Sequence, residues 1–382
     1  MSAAGSPEED PSCADLSRDE RFMAAALAFG RRNLGLCAPN PSVGALIVRD
    51  GIPVGRGVTS KGGRPHAERN AIDEAGAAAA GATLFVTLEP CFHQGRASPC
   101  APAIVAAGIT RVVSAIEDPD VRVAGRGHAL LREAGVEVIV GVGAREARRD
   151  HRGHILRVTQ GRPMVTLKLA RTADGYAAGD EYDPRLAITG EAANLRVQVM
   201  RSMHDAIMIG VGTALGDDPL LTVRLPGAEA FKPLRVVLDA HLRLSPRSRL
   251  AVTAHDFPTL AIATDAASSE RAEALQAAGV SVERVAADRD GHVDLPSALQ
   301  ALGRRGITRV FSEGGPHVAS ALIIAGLVDE AILFTAQKPL GRPGQPALDG
   351  AALSALEDRT RYSEAEVARF GSDEMRRFER HD

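Results

Sequence analysis

Three residue types that ligate metals recur in order within one stretch: His66-Ala67-Glu68, then Pro90-Cys91, then Cys100. One imidazole and two thiolates give Zn²⁺ three ligands and leave the fourth tetrahedral position to water, as in catalytic rather than structural sites. Bound zinc lowers the pKa of water to about 7, so hydroxide becomes available at neutral pH. Glu68, two residues past the histidine, can carry a proton from that water to a ring nitrogen and then to departing ammonia. The cysteine loop follows a strand-like run and precedes a helix-like one. A thiolate near a helix N-terminus is favoured by the dipole. The bland alternative is two unrelated buried cysteines and a surface histidine, which would have to fall in this order by chance.

A second set of residues suits phosphate. Ala206–Ile209 reads as a strand and runs into Gly210-Val211-Gly212-Thr213. The next glycine, Gly216, does not complete a dinucleotide fingerprint, so this turn alone is weak. Arg309–Ser312 is another strand-like run, followed by Glu313-Gly314-Gly315-Pro316 and a helix-like segment. A strand that ends in glycines before a helix offers backbone N–H groups to a phosphate. The bland alternative is a tight turn. Gly125-Arg126-Gly127 reads as a turn before a helix. His151 and His154 have near-ligand spacing but no matching Cys, Asp or Glu, so a solvated linker is expected there. Arg145–Arg157 is rich in arginine, but Glu146 and Asp150 interrupt it, which reads as a solvated helix face.

These residues need elements to hold them. Residues 1–17 are polar and expected to be a disordered tail. The predicted order is then helix 18–33, strands 43–48 and 53–57 around Asp50-Gly51, helix 66–80 and strand 83–88. Helix 102–107, strand 111–116, helix 127–134 and strand 136–140 follow. The charged stretch 143–158 is expected to be a solvated helix leading to a linker at Gly161-Arg162-Pro163. A second alternation runs from strand 164–170 through helix 191–203 and strands 206–210, 234–239 and 259–264. It continues with helix 268–278, strand 281–285, helix 295–304, strand 309–312, helix 316–325 and strand 330–336. Alternating strands and helices predict an α/β fold. The expected domains are 18–160 and 161–382.

Composition agrees. A chain of 382 residues is long enough for two cores. With 45% hydrophobic and 24% charged residues it reads as a soluble globular protein rather than a disordered one. No apolar run is long enough to span a membrane. The acidic first ten residues argue against a secretory signal. A net charge of −3 and 3% aromatic residues argue against a nucleic-acid binder. Four cysteines, including Cys13 and Cys37, do not make a disulfide scaffold. There is no tryptophan, and lysine occurs only at Lys61, Lys168, Lys232 and Lys338.

The order H-x-E…P-C…C is that of zinc deaminases, though eight residues separate Cys91 from Cys100 here. A longer loop can still close on a metal, because closure entropy grows slowly with length. Together with Ala38-Pro39-Asn40-Pro41-Ser42-Val43-Gly44, Thr87–Arg96, Asp118-Pro119-Asp120 and Ala124–Gly127, these motifs resemble the bifunctional riboflavin-biosynthesis deaminase–reductases. Leu167-Lys168-Leu169-Ala170, Asp174-Gly175, Gly210–Thr213, Asp217–Arg224, Glu313-Gly314-Gly315 and Ala325–Glu330 resemble that family's reductase half. The likeness covers the chain from about residue 20 onward.

The resemblance implies an N-terminal cytidine-deaminase-like three-layer domain followed by a dihydrofolate-reductase-like α/β domain. It implies deamination of 2,5-diamino-6-ribosylamino-4(3H)-pyrimidinone 5′-phosphate to 5-amino-6-(5-phosphoribosylamino)uracil. NADPH reduction of the ribosyl group to ribityl follows. By position, His66, Cys91 and Cys100 hold one Zn²⁺ per chain and Glu68 shuttles the proton. Asn40, His93 and Arg96 contact the deaminase substrate. Lys168, Arg185, Arg201, Leu221, Arg224 and Glu313 contact the reductase substrate, with Arg201 and Arg224 suited to its phosphate. Ala170, Ala187, Thr213, Asp217, Gly315, Pro316, His317, Val318, Ala319, Ser320 and Ala321 line the NADPH site. The expected partner is a phosphorylated pyrimidine, with neither nucleic acid nor membrane, in a cytoplasmic homo-oligomer.

The chain departs from the family at three places. Thr59 stands where the family has His, and Ala97-Ser98-Pro99 where it has Thr-Pro-Pro. Arg185-Leu186-Ala187 stands where it has Ser-x-Trp. The last departure raises an alternative, a deaminase whose reductase half is weakened or altered. Two further alternatives are a nucleic-acid-editing deaminase and a non-enzymatic zinc module.

Overall fold

Ser17 starts the first helix. Its hydroxyl accepts the Glu20 amide at 3.3 Å, while the Glu20 carboxylate takes the Ser17 amide at 2.7 Å, a capping box. The computed structural model describes residues 17–92, 99–179 and 186–381. They gather into two units, one of 17–32, 42–60 and 64–151 and one of 33–41, 61–63 and 152–381. The expected tail lies outside the described residues except for Ser17.

In the first unit, α1 (Arg18–Arg31) leads to the hairpin β1 (Gly44–Arg49) and β2 (Ile52–Val58). Asp50 and Gly51 both have positive φ, as a two-residue hairpin turn demands. Then come α2 (Ala67–Ala75), β3 (Thr83–Val86), α3 (Cys100–Ala106), β4 (Arg111–Ser114), α4 (Arg126–Glu133), β5 (Glu137–Val140) and α5 (Ala144–Asp150). The sheet order is β2-β1-β3-β4-β5, with β1 antiparallel to both neighbours and the rest parallel. Helices α1 and α5 pack together and α2 and α3 pack together, with α1, α2 and α4 reaching the sheet, giving the three-layer arrangement. The expected helix 66–80 is shorter. Gly76 turns the backbone to φ 53° and a short 3₁₀ turn follows. Helix α2 lies close on the sheet because Gly57 has no Cβ; one there would fall 1.9 Å from the Ala67 carbonyl oxygen.

The second unit contains α6 (Arg152–Gln160), β6 (Met164–Arg171), β7 (Tyr176–Ala178), α7 (Glu191–Ser202), β8 (Ala206–Gly210) and α8 (Val211–Asp217). Next are β9 (Leu234–Leu238), α9 (Arg249–Val252), β10 (Thr259–Ala263), α10 (Ser269–Ala277), β11 (Ser281–Arg284) and α11 (Leu295–Arg304). It closes with β12 (Arg309–Ser312), α12 (Pro316–Ile324), β13 (Glu330–Thr335), β14 (Gln345–Pro346), α13 (Gly350–Glu357), β15 (Tyr362–Phe370) and β16 (Asp373–Arg380). The main sheet runs β11-β10-β9-β8-β12-β6-β13-β16-β15. It is parallel from β11 through β13, and the last two strands add an antiparallel hairpin. Strands β8, β10 and β12 are buried along their whole length, which is why β8 and β10 read as apolar runs.

The stretch 143–158 is not a solvated helix with a linker. It forms α5 and α6, and each buries one side: Ala147 in α5, and Gly153, His154 and Leu156 in α6. His151 and His154 are 2% and 7% exposed, not solvated. The charges of α5 occupy only its outer face, and a composition-level reading averages the two faces together. Among the described residues no helix is long and apolar enough to cross a membrane.

Candidate active sites

The first unit brings the metal-binding residues together. His66 is the N-cap of α2, Glu68 is that helix's second residue, and Cys100 opens α3. The His66 Nδ1 lies 3.5 Å from the Cys91 sulfur and 3.4 Å from the Cys100 sulfur. A tetrahedral zinc with ordinary Zn–S and Zn–N bonds has an S···N edge of about 3.5–3.6 Å, so the three donors fit the ion. The Cys100 amide, at the start of α3, donates to the Cys91 sulfur at 3.4 Å. Cys91 is held down at about 4, first by its hydrogen bond with Cys100, then against the opposing effect of burial. Cys100 is pushed up by that same bond and by burial. His66 is raised, chiefly by its bond to Cys91. Glu68 is 4% exposed. Burial, and then the negative Cys91, push it up to about 7. A carboxylic acid near neutrality suits proton transfer in both directions.

The other predicted deaminase residues are placed differently. His93 and Arg96 lie outside the described residues. Asn40 belongs to the second unit, where its amide donates to the Gly63 carbonyl at 2.8 Å. Thr59 is buried, and its hydroxyl accepts the Val43 amide at 2.9 Å.

In the second unit the order of strands reverses between β8 and β12, because the chain leaves β8 toward β9 and leaves β12 toward β13. Ligands of open α/β sheets bind at such a point, beyond the carboxyl ends of the strands. Both glycine turns are there, and the Gly315 amide donates to the Thr213 hydroxyl at 3.1 Å. Gly315 caps α12 with Pro316 next in line, so early helix amides face outward. A Cβ on Gly315 would stand 3.1 Å from the Thr213 hydroxyl, closing the gap between the turns. These features fit a dinucleotide phosphate. Lys168 and Ala170 share one face of β6 and are half-buried. Along α12, Ala319 and Ser320 turn inward, whereas His317 and Ala321 are exposed.

Arg201 and Glu313 form a bidentate pair at 2.5 and 3.0 Å, and Arg201 also donates to the Thr222 carbonyl at 3.0 Å. Most of the Arg201 fork is thus engaged inside the protein, while Arg224 exposes its guanidinium and is tied by its backbone amide to Gln198 at 2.9 Å. Leu221 has φ 50°, and the carbonyl before it is held by Arg235 at 3.1 Å. Asp217 ends α8. Ala187 is exposed, and Arg185 lies outside the described residues.

Two contributors carried no expected role. Glu89, next to Pro90-Cys91, is buried and bonded to four backbone amides. Arg235 is fully buried and donates to Leu220, Leu250 and Phe257 carbonyls and to the Thr253 and Thr259 hydroxyls. A charged residue beside a metal ligand is the only sequence hint for Glu89; nothing in the sequence marks Arg235.

Residues 163–374 match a family model described as the RibD C-terminal domain. Residues 16–116 match the cytidine and deoxycytidylate deaminase zinc-binding region. The riboflavin biosynthesis protein RibD of Escherichia coli (strain K12) is 36% identical, over 93% of this chain and 98% of its own. The protein of that name from Aquifex aeolicus (strain VF5) is 36% identical over 95% and 99%. Among solved structures, Acinetobacter baumannii RibD has a TM-score of 0.84 at 32% identity, covering 96% of this chain and 100% of that one. A Thermotoga maritima diaminohydroxyphosphoribosylaminopyrimidine deaminase/5-amino-6-(5-phosphoribosylamino)uracil reductase has a TM-score of 0.81 at 31% identity, covering 95% and 99%.

Proposed function

The chain belongs to the RibD family of bifunctional riboflavin-biosynthesis deaminase–reductases, and from that premise we propose how its residues divide the work. The deaminase domain is 18–160 and the reductase domain 161–382. The first removes an amine from a diaminopyrimidinone ribosylamine 5′-phosphate. The second reduces the ribosyl group of the product to ribityl.

His66, Cys91 and Cys100 hold one Zn²⁺ per chain, which supplies a Lewis acid that makes water a nucleophile near pH 7. Glu68 would take one proton from the attacking water and pass it to a ring nitrogen, then take the second from the added hydroxyl and pass it to the departing amine as the carbonyl forms. Asn40, His93 and Arg96 orient the substrate. In the reductase, NADPH supplies the hydride. Thr213, Asp217 and Gly315–Ala321 bind it with Ala170 and Ala187. Lys168, Arg185, Leu221 and Arg224 hold the phosphoribosyl group, and the Arg201–Glu313 pair shapes the same wall. The protein is a cytoplasmic homo-oligomer with a small-molecule substrate and no nucleic-acid or membrane partner.

The observation that carries this reading is the convergence of one imidazole and two sulfurs beside a buried, near-neutral Glu68. The test is mass spectrometry of the products from the diaminopyrimidinone substrate with NADPH. Two mass changes are expected in sequence, the first abolished by chelation and the second by omitting NADPH. A chelator-insensitive first step overturns the zinc assignment.

A further inference from the structure

The motifs Glu89-Pro90-Cys91 and Asp118–Gly127 are far apart in sequence and meet at one carboxylate. The Glu89 Oε2 accepts the amides of Asp118 at 3.2 Å and Gly125 at 2.9 Å. Its Oε1 accepts those of Gly127 at 2.8 Å and His128 at 3.2 Å. Glu89 is 4% exposed, so these bonds are made out of water, where charge-assisted hydrogen bonds are strongest. Three of the four donors lie at or just before the start of α4, where amides lack partners within the helix. The two segments also touch directly: a Cβ on Gly127 would lie 2.0 Å from the Pro90 carbonyl oxygen. Arg126, between two of the donors, places its guanidinium 5.7 Å from the centre of the Phe92 ring, next to Cys91.

Glu89, Glu117 and His128 also lie close enough to suggest a second metal site. Four N–H hydrogens already point at the Glu89 carboxylate, however, and a cation there would meet their positive ends.

We infer that Glu89 is a positioning residue of the deaminase: its carboxylate clamps the loop 118–128 onto Pro90-Cys91 and so fixes the Cys91 sulfur for the metal. The inference rests on the zinc-deaminase reading. Groups that orient metal ligands from behind typically change metal affinity or activity by 10–100-fold.

The probe is Co²⁺ in place of zinc, in the full chain, read by its visible absorption. Glu89→Gln keeps the side chain's size but turns one oxygen into a donor that repels two amides. It should alter the cobalt spectrum and weaken cobalt binding by about 10-fold or more. Reductase turnover on the deaminated intermediate should stay within about two-fold, which serves as the control for an intact chain. Gly127→Ala drives a methyl against the Pro90 carbonyl and within 3.1 Å of Glu89 Oε1 while leaving the carboxylate chemically intact, and it should give the same spectral change. The double variant should be little worse than either single one, because both break one contact surface. If Glu89→Gln loses reductase activity as well, Gly127→Ala decides. A cobalt spectrum and affinity equal to the parent's in the deciding variant overturn the inference, even if its melting temperature falls. So does strict additivity in the double variant, or a second tightly bound metal per chain that Glu89→Gln removes. A parent that shows no thiolate-ligated cobalt overturns the deaminase reading itself, and this inference with it.

Discussion

The Gly315 amide donates to the Thr213 hydroxyl at 3.1 Å, tying the turn after β8 to the turn after β12. The two turns come from segments about a hundred residues apart and together form the floor of the proposed phosphate site. Thr213→Val removes the acceptor while keeping the shape. One neutral hydrogen bond is worth about 0.5–1.5 kcal/mol. The dissociation constant for NADPH should therefore rise by about 3- to 10-fold, with the hydride-transfer rate at saturation changing little. Titration of bound NADPH fluorescence reads this directly, and an unchanged constant would remove Thr213 from the cofactor site.

Glu68 is the only acid on the first turn of α2, and its burial beside the Cys91 thiolate is what brings it to about 7. Glu68→Gln cannot carry a proton but preserves size and some hydrogen bonding. General acid–base groups contribute about 10²–10⁴-fold. Ammonia release should fall by at least about a hundred-fold. Zinc content and NADPH-dependent reduction of the deaminated intermediate should persist. A variant that still releases ammonia at the parental rate would show that another group moves the proton.

Arg201 and Glu313 are nearly buried, with side chains 11% and 13% exposed. Removing one member of such a pair takes from the other its bidentate partner, at a cost of about 3–5 kcal/mol. Replacing both by apolar residues of similar volume can be nearly neutral. Arg201→Met should therefore lower the urea midpoint of the second unit sharply, and Arg201→Met/Glu313→Leu should recover most of it. Reductase activity should stay low in both if the pair also faces substrate. Full activity in the restored double variant would assign the pair to stability alone.

The legible part of the fold follows from burial. Strands such as β8 and β10, covered on both faces, have few polar interruptions, and the zinc triad is compact in sequence. The C-terminal hairpin β15–β16 was not legible because its residues, Ser363 to Arg369 and Asp373 to Arg380, are mostly charged or small. Its pairing with β13, not its own pattern, makes it strand. Arg235 hides for a related reason. At the second position of β9 it looks like a solvent-facing edge residue, but carbonyls from three separate segments accept from its two terminal nitrogens in the interior. His151 was expected in solvent because charged neighbours surround it, yet its ring meets the buried Thr87 hydroxyl at 3.0 Å. In each case the deciding partner is distant in sequence.

His204 should make the second unit acid-sensitive. The ring is buried, with Nδ1 2.7 Å from the Met200 carbonyl oxygen and Nε2 3.0 Å from the Thr166 hydroxyl. The Met200 carbonyl can only accept, so the neutral ring carries its proton on Nδ1, while the Thr166 hydroxyl donates its hydrogen to Glu330 Oε2 at 3.0 Å. Burial, and then the nearby Arg309, push it down to about 3. Unfolded histidine titrates near 6.5. Between those values the unfolded chain binds the proton and the folded one does not. The stability from keeping His204 neutral is thus fully present above pH of about 6.5 and is lost as pH falls toward 3. One proton corresponds to about 1.4 kcal/mol per pH unit in that window. His204→Gln removes the titration while keeping an amide for hydrogen bonding. It should be less stable than the parent at pH 7, but its urea midpoint should fall less steeply from about pH 6 to pH 4, by the equivalent of one proton. Parallel slopes in the two proteins would show that His204 is protonated in the folded state across that range, with its bonds at Met200 and Thr166 rearranged to allow it.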